Sequence, residues 1–310
     1  MKVYHSLEAF TKIPKAVVTS GTFDGVHQGH QKILSRLQEI SKNVQGETVV
    51  LTFWPHPRMI VSEDSQNLQL LSTIDEKIQL FEALGIDHLI ITPFTRSFSE
   101  LSSSEFIQQV LVDCIGTKKF VIGYDHRFGR NREGSFEFLK QVAPSYGFDV
   151  EEIPRQDIDA LAISSTRIRK ALLRGEVTEA NELLGQPYRF SGLVVKGKQL
   201  GRKLGYPTAN VEIKENYKLI PINGVYAIEA VLRGELYKGM LNIGIRPTVD
   251  GSSRTIEAHL FNFMEDIYGE LLEVRLLHYL RPEMKFDSLD ELVSQIAEDK
   301  KIAVAKLEDH

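Results

Sequence analysis

The stretch "GTFDGVHQGH", Gly21 to His30, decides the fold. It stands between "KAVVTS" (Lys15 to Ser20), a β-branched run that reads as a strand, and "HQKILSRLQEI", whose Ile33, Leu34, Leu37 and Ile40 recur at helical spacing. A strand that hands over to a helix through three glycines makes a turn that a bulky ligand can approach closely. The helix N-terminus beyond it offers unpaired N–H groups and a positive dipole end, so the segment reads as an anion site. His27 and His30 add donors on one side of the first helical turn, placed to meet phosphate oxygens or the charge that builds during phosphoryl chemistry. The spacing is neither that of a Walker loop nor that of the G-x-G-x-x-G fingerprint. A zinc site is disfavoured, because no cysteine or other histidine is near in sequence and Asp24 alone makes a poor third ligand. Taken in isolation, the pair also reads as a plain helix cap with exposed histidines.

Outward from this turn, the first half alternates strand-like and helix-like segments. "TVVLTF", "HLIITPF" and "KKFVIGY" are short β-branched runs, and "TIDEKIQLFEALG" and "SSEFIQQVLVDCIG" between them read as helices that end at Gly85 and Gly116. Such alternation predicts a parallel sheet with helices on both faces. From Tyr188 onward strands follow one another, with Arg233-Gly234 between two alternating runs as a hairpin signal. An antiparallel barrel or sandwich is predicted, closed by a C-terminal helix with Ser288 as N-cap and Glu291 three residues on. The change of texture near Gly185 to Pro187 divides the chain into domains 1–186 and 187–310.

A chain of 310 residues suits two domains. With 42% hydrophobic and 25% charged residues, disordered and collagen-like classes are excluded. The only cysteine, Cys114, has no partner for a disulfide and reads as a buried small hydrophobe in a reducing compartment. No apolar run reaches the roughly 20 residues of a membrane helix, and the N-terminal stretch lacks the apolar core of a signal peptide, so no membrane association and a cytoplasmic location are expected. The net charge of −5, with no basic excess in either half, argues against a nucleic-acid partner.

G-x-F-D-G-x-H-x-G-H resembles the signature of the nucleotidyltransferase superfamily, related to class I aminoacyl-tRNA synthetases through its HxGH core. A second segment, "ISSTRIRKALLRG" (Ile163 to Gly175), puts serines, a threonine and arginines at the start of another helix, with Ile168, Ala171 and Leu172 on its apolar face. By itself it also reads as an N-cap with a solvated basic face. Paired with HxGH, it resembles the ISSTxIR motif of bacterial flavin adenylyltransferases. The resemblance implies a Rossmann-like α/β nucleotidyltransferase domain. In it, His27 and His30 act on the phosphates, and Gly21, Phe23, Asp24, Gly29, Ser165, Thr166 and Arg169 hold ATP. "TFWPHP" (Thr52 to Pro57) and "GYDHRFGRNREG" (Gly123 to Gly134) match in place and order, implying flavin-binding roles for His56 and Asp125. His126 departs from the family, which commonly has an aromatic residue there.

In the second half, "GKQLGRKLGYPTAN" (Gly197 to Asn210) combines Gly197, Gly201 and Gly205 with the charges of Lys198, Arg202 and Lys203, a loop able to wrap a polyphosphate. Thr208 and Asn210 offer neutral oxygens to Mg²⁺ or phosphate. A glycine-rich hairpin with solvated lysines is the other reading. "GVY" (Gly224 to Tyr226), "NIGIRPT" (Asn242 to Thr248) and "IEAH" (Ile256 to His259) follow at family-like distances. This ordered set resembles riboflavin kinase, fused behind the adenylyltransferase in bacterial bifunctional FAD synthetases, over essentially the whole chain. The resemblance implies a small β-barrel kinase domain in which Gly197, Gly201, Lys203, Gly205, Thr208 and Asn210 bind ATP, Thr208 and Asn210 meet Mg²⁺, and Glu257 is the base. It also implies the small-molecule substrates ATP, riboflavin and FMN. The FMN phosphate is already an anion, so the adenylyl step needs donors rather than a base. An aminoacyl-tRNA synthetase would need a tRNA-binding domain and usually a KMSKS loop, where "ISSTRIR" stands instead.

Overall fold

The computed structural model of the chain describes residues 1–62, 68–154, 163–197, 200–248 and 251–308. Lys198 lies outside them, as does the side chain of Lys203. The chain divides into two compact units, Met1–Ser165 and Thr166–His310.

In the first unit, β1 (Lys2–Tyr4), β2 (Ala16–Ser20), β3 (Glu47–Trp54), β4 (His88–Pro93), β5 (Thr117–Gly123) and β6 (Asp149–Ile153) form one sheet in the order β1-β4-β3-β2-β5-β6. Every pairing is parallel. The short edge strands β1 and β6 give no strong sequence signal; "DVEEI" has three acids in five residues. Alternate residues of the central strands serve opposite faces, as strand geometry requires. Ala16, Val18, Val49, Leu51 and Phe120 join one core cluster, and Val17, Val50, Leu89 and Val121 the other. The first cluster includes Phe106–Ile115 and the second includes α1 (Gln28–Val44) and α3 (Ile74–Ala83), so both faces are covered.

The four apolar residues expected on one face of α1 are buried there. Gly85 and Gly116 take left-handed φ of 72° and 76° at their helix ends. The second of these helices differs from the α-helix expected. After a capping box of Ser102 and Glu105, Phe106–Ile115 winds as a π-helix, and its buried Phe106, Val110, Leu111 and Ile115 suit i→i+5 winding. Cys114 within it is half-buried rather than buried, its thiol donating to the Leu7 carbonyl at 3.2 Å.

The second unit includes helix Val177–Leu184, which is fastened to the strands that follow. Asn181 Nδ2 donates to the Leu276 carbonyl at 2.8 Å, and its Oδ1 accepts the Tyr188 N–H at 2.7 Å. The compact units therefore divide about 20 residues before the change in sequence texture, since a polar clasp leaves no mark in periodicity.

Strands β7 (Tyr188–Val195), β8 (Ala209–Glu212), β9 (Gly224–Leu232), β10 (Glu235–Thr248), β11 (Gly251–Leu260) and β12 (Leu271–Arg281) close into a barrel in the order β10-β11-β8-β7-β12-β9. All its pairings are antiparallel. The predicted hairpin pairs Leu232 with Glu235, and Arg233 and Gly234 take φ of 53° and 87°, the two left-handed residues of a type I′ turn. The C-terminal helix Leu289–Glu308 is capped by Ser288, whose Oγ accepts the Glu291 N–H at 3.2 Å. Its Ala303 and Leu307 pack on Ala227, Met240 and Leu277 of the barrel. Its Asp299 accepts two hydrogen bonds from the Arg281 guanidinium, at 2.8 and 2.7 Å.

Candidate active sites

In the first sheet the direction of winding reverses at β2, which has β3 on one side and β5 on the other. Open α/β sheets bind ligands at the carboxyl ends of strands beside such a reversal. A cavity of about 770 Å³ lies there, lined by Gly21 and Phe23 after β2, His30 of α1, and Asp125 and His126 after β5. Phe53, Phe94, Phe98 and Phe128 supply an apolar wall, and Arg58, Arg96, Arg127 and Arg132 supply cations.

The opening motif is a strained turn held by its own burial. Phe23 and Val26 take left-handed φ of 47° and 42°, a rare state for bulky residues, and both lie in the core. Gly25, at φ 81°, donates its N–H to Ser72 Oγ at 3.1 Å. His27 is the N-cap of α1, its Nδ1 accepting the His30 N–H at 3.4 Å. The His27 and His30 rings stack with centroids 3.6 Å apart, and Phe23 meets His30 edge-on at 5.1 Å. Burial, then the neighbouring His27 and Lys77, holds the His30 imidazole well below its ordinary pKa, so it is neutral at pH 7.

Asp24 does not line the cavity. Its carboxylate accepts the backbone N–H groups of Leu71 and Ser72 at 2.9 and 3.2 Å, so it braces the turn from behind. Ser165 Oγ donates to the Asp24 carbonyl at 3.0 Å, joining "ISST" to the first motif. Thr166 and Arg169 follow in helix Ser165–Arg174 and belong to the second compact unit. Gly29 is buried inside α1. His56 caps α2 (Pro57–Val61), accepting the Arg58 N–H on Nδ1 at 3.2 Å, and does not line the cavity.

Lys77 carries no motif signal and was missed by sequence reasoning. It is buried on α3, and its ammonium donates to the Thr22 carbonyl at 2.6 Å, directly behind the glycine turn. Burial lowers its pKa to about 8, against the pull of Asp24. His126 stands as a ring among rings. It stacks on Phe128 at 6.0 Å, meets Phe120 edge-on at 5.9 Å, and its Nε2 lies 3.3 Å from Ser20 Oγ. Burial, aided by Arg132, pushes its pKa to about 4, so an uncharged imidazole fills the aromatic position.

In the second unit, Glu257 on β11 is paired with Asn210 on β8 and with Asn242 on β10, so three polar side chains share one face of adjacent strands. Thr208 Oγ donates to Glu257 at 3.3 Å. Gly197 backs this row, because a Cβ there would come within 2.2 Å of Asn210 Nδ2. The glycine-rich stretch is less of an open loop than its sequence predicts. Leu200–Lys203 form a helical turn, and Gly201 packs on the Tyr206 carbonyl, which a Cβ would approach to 2.4 Å. Gly205 takes φ of 84° and, with Arg202, Pro207 and Thr208, lines a cavity of about 180 Å³ that reaches Ala258 and Leu260. Asn242 lies within "NIGIRPT", where nothing in the sequence marks it; the strand period of two, once register is known, puts it beside Glu257.

Among the described residues, no group of three or more His, Cys, Asp or Glu side chains gathers to hold a metal ion. A hydroxyl, an amide and one carboxylate at Thr208, Asn210 and Glu257 suit a hard cation that brings waters and substrate phosphates with it.

Two family models match the chain, FAD synthetase over residues 10–167 and riboflavin kinase over residues 184–307. A bifunctional riboflavin kinase/FMN adenylyltransferase of Haemophilus influenzae is 39% identical, with 93% of each chain covered. Its counterpart in Listeria monocytogenes is 37% identical, with 97% of this chain and 96% of the relative covered. A crystal structure described as a macrolide-efflux protein from Streptococcus pneumoniae superposes with a TM-score of 0.88 at 31% identity, covering 97% of this chain and 98% of that one. Among the described residues, no helix is long and apolar enough to cross a membrane.

Proposed function

The chain belongs to the family of bifunctional riboflavin kinase/FMN adenylyltransferases, and from that premise we infer which residues carry each step. It phosphorylates riboflavin to FMN and adenylylates FMN to FAD, with ATP as donor in both reactions and a divalent metal taking part. That metal is Mg²⁺ in our reading, which neutralises phosphate charge at each site when bound. The catalytic domains are 1–186 and 187–310, and the chain works in the cytoplasm on small molecules, without nucleic acid or membrane.

In the kinase step the ribityl 5′-hydroxyl is a weak nucleophile at neutral pH. Glu257 takes its proton as the oxygen bonds to the γ-phosphorus of ATP and ADP leaves. Thr208 and Asn210 would hold the metal and orient the phosphates, while Gly197, Gly201, Lys203 and Gly205 hold the nucleotide. The observation that supports this most directly is the approach of Thr208 to Glu257, with Asn210 opposite in register.

In the adenylyl step an FMN phosphate oxygen attacks the α-phosphorus of ATP and pyrophosphate leaves, with no proton to remove. The task is to bring two polyanions together. His27 accepts on Nδ1, which leaves its proton on Nε2 as a donor, and neutral His30 adds another. The N-terminus of α1 and the Lys77 ammonium supply positive potential from behind, and Gly21 lets the phosphates approach. By the resemblance of "ISSTRIR", Ser165, Thr166 and Arg169 are also assigned to ATP. Phe23 and Asp24 shape the glycine turn, Gly29 in the first turn of α1 serves the ATP side, and Asp125 and His56 serve the flavin side.

Incubating the chain with riboflavin, ATP and Mg²⁺ and separating the flavins over time tests the reading. FMN appears first and FAD follows at its expense. A chain that makes FAD from supplied FMN but leaves riboflavin untouched contradicts the kinase assignment.

A further inference from the structure

His259 is only 7% exposed and lies two residues beyond Glu257 on β11, so both point to one face of the strand. Its register partner is Met240, and its ring meets Tyr206 and Phe261 edge-on at 5.5 and 5.8 Å. Nδ1 lies 2.8 Å from the Pro207 carbonyl oxygen. A carbonyl only accepts, so Nδ1 carries the proton. Nε2 is then a bare acceptor, buried and without a partner among the described residues. Burial keeps the ring uncharged, lowering its pKa against the pull of the Pro207 hydrogen bond, with Lys300 acting in the same direction as burial.

Packing alone does not call for histidine here. A leucine or phenylalanine fills such a space without leaving a buried nitrogen unsatisfied, which costs stability. What histidine adds is one directed hydrogen bond to the peptide that leads into Thr208. The Pro207–Thr208 peptide is planar, so fixing the Pro207 carbonyl also fixes the direction of the Thr208 N–H and the placement of its Cα. The Thr208 hydroxyl reaches Glu257 from that Cα. One strand thus grips the "PTAN" segment twice, through Glu257 at the Thr208 side chain and through His259 at the backbone just before it.

We propose that His259 is a positioning residue of the kinase site, holding the Pro207–Thr208 peptide so that Thr208 and Asn210 present their oxygens beside Glu257. The proposal rests on the kinase roles given to those three residues.

Three variants of the full chain test it: His259→Asn, whose amide nitrogen stands near the position of Nδ1; His259→Gln, which puts it nearer Nε2; and His259→Leu, which fills space without a donor. Each is assayed for kcat and KM in FMN formation, and for FAD formation from supplied FMN as the control for an intact chain. His259→Leu is expected to lower kcat for FMN formation by about tenfold to hundredfold, with little change in KM for riboflavin. His259→Asn recovers most of the loss, His259→Gln does not, and FAD formation is unchanged in all three. Equal impairment of the Asn and Leu variants, or wild-type kcat in the Leu variant, overturns the proposal. Where His259→Leu does not fold, the other pair decides: a faster Asn variant supports the proposal and equal rates overturn it. Failure of Glu257→Gln to lose FMN formation strikes instead at the kinase site itself.

Discussion

Thr208 donates its hydroxyl hydrogen bond to the Glu257 carboxylate across 3.3 Å, joining the "PTAN" segment to the "IEAH" strand. Two motifs 49 residues apart in the chain thereby become one side of a site. The carboxylate is held beside neutral oxygens suited to a metal–phosphate group, which is where a base for an alcohol nucleophile is useful.

Glu257→Gln keeps the shape and removes the base. FMN formation falls by about 10²- to 10⁴-fold. Conversion of supplied FMN to FAD stays within about twofold of wild type, because Glu257 and His30 belong to different compact units. Separate initial rates for the two reactions check both statements.

His30 is neutral in its stacked pair with His27, so its contribution is a hydrogen bond rather than a charge. His30→Ala lowers FAD formation from FMN by about 10²- to 10³-fold. His30→Gln, a neutral donor, retains more activity than His30→Ala. Because the His30 pKa lies well below 6.5, the rate of this step shows no imidazole titration at His30 between pH 6.5 and neutrality.

Lys77 supplies charge behind the glycine turn only while protonated. With its pKa at about 8, FAD formation falls as pH rises through that value, since the ammonium is present below it and lost above. Lys77→Met is slower at pH 7 and lacks this alkaline limb. A pH–rate profile of the two proteins makes the comparison, and an unchanged limb in the variant assigns the titration elsewhere.

Gly197→Ala pushes the Asn210 amide aside, because the new Cβ would sit 2.2 Å from Nδ2. The displaced group is the end of a side chain, so the barrel folds and the loss falls on chemistry. FMN formation drops about tenfold or more, as expected for one misplaced orienting group. Thermal unfolding of the variant matches wild type while the kinase rate does not.

Much of this was legible in the residues. The β-branched runs, the four apolar positions of α1 and the glycines at 85 and 116 yield the layered sheet, since periodicity and capping are local. Arg233-Gly234 likewise announces its hairpin. Features that depend on long-range contact were not legible. The edge strands β1 and β6 lack a hydrophobic run, the clasp of Asn181 on the barrel is one amide, and the π-winding of Phe106–Ile115 follows from packing. At the sites, "GTFDGVHQGH" lies at the start of a helix and "IEAH" on a strand as expected, while Leu200–Lys203 form a helical turn rather than open loop, and side-chain directions did not follow from spacing. Asp24 turns back to brace its loop, His126 substitutes as a ring, and Lys77, Asn242 and His259 reach their places only through tertiary register.

One chain carries two separable sites, one built on Glu257 and the other on His30. Mixing purified Glu257→Gln and His30→Ala chains with riboflavin, ATP and Mg²⁺ tests that separation. Alone, the first leaves riboflavin unchanged and the second stops at FMN; together they produce FAD. Loss of both reactions in either folded variant, with no FAD from the mixture, contradicts the claim.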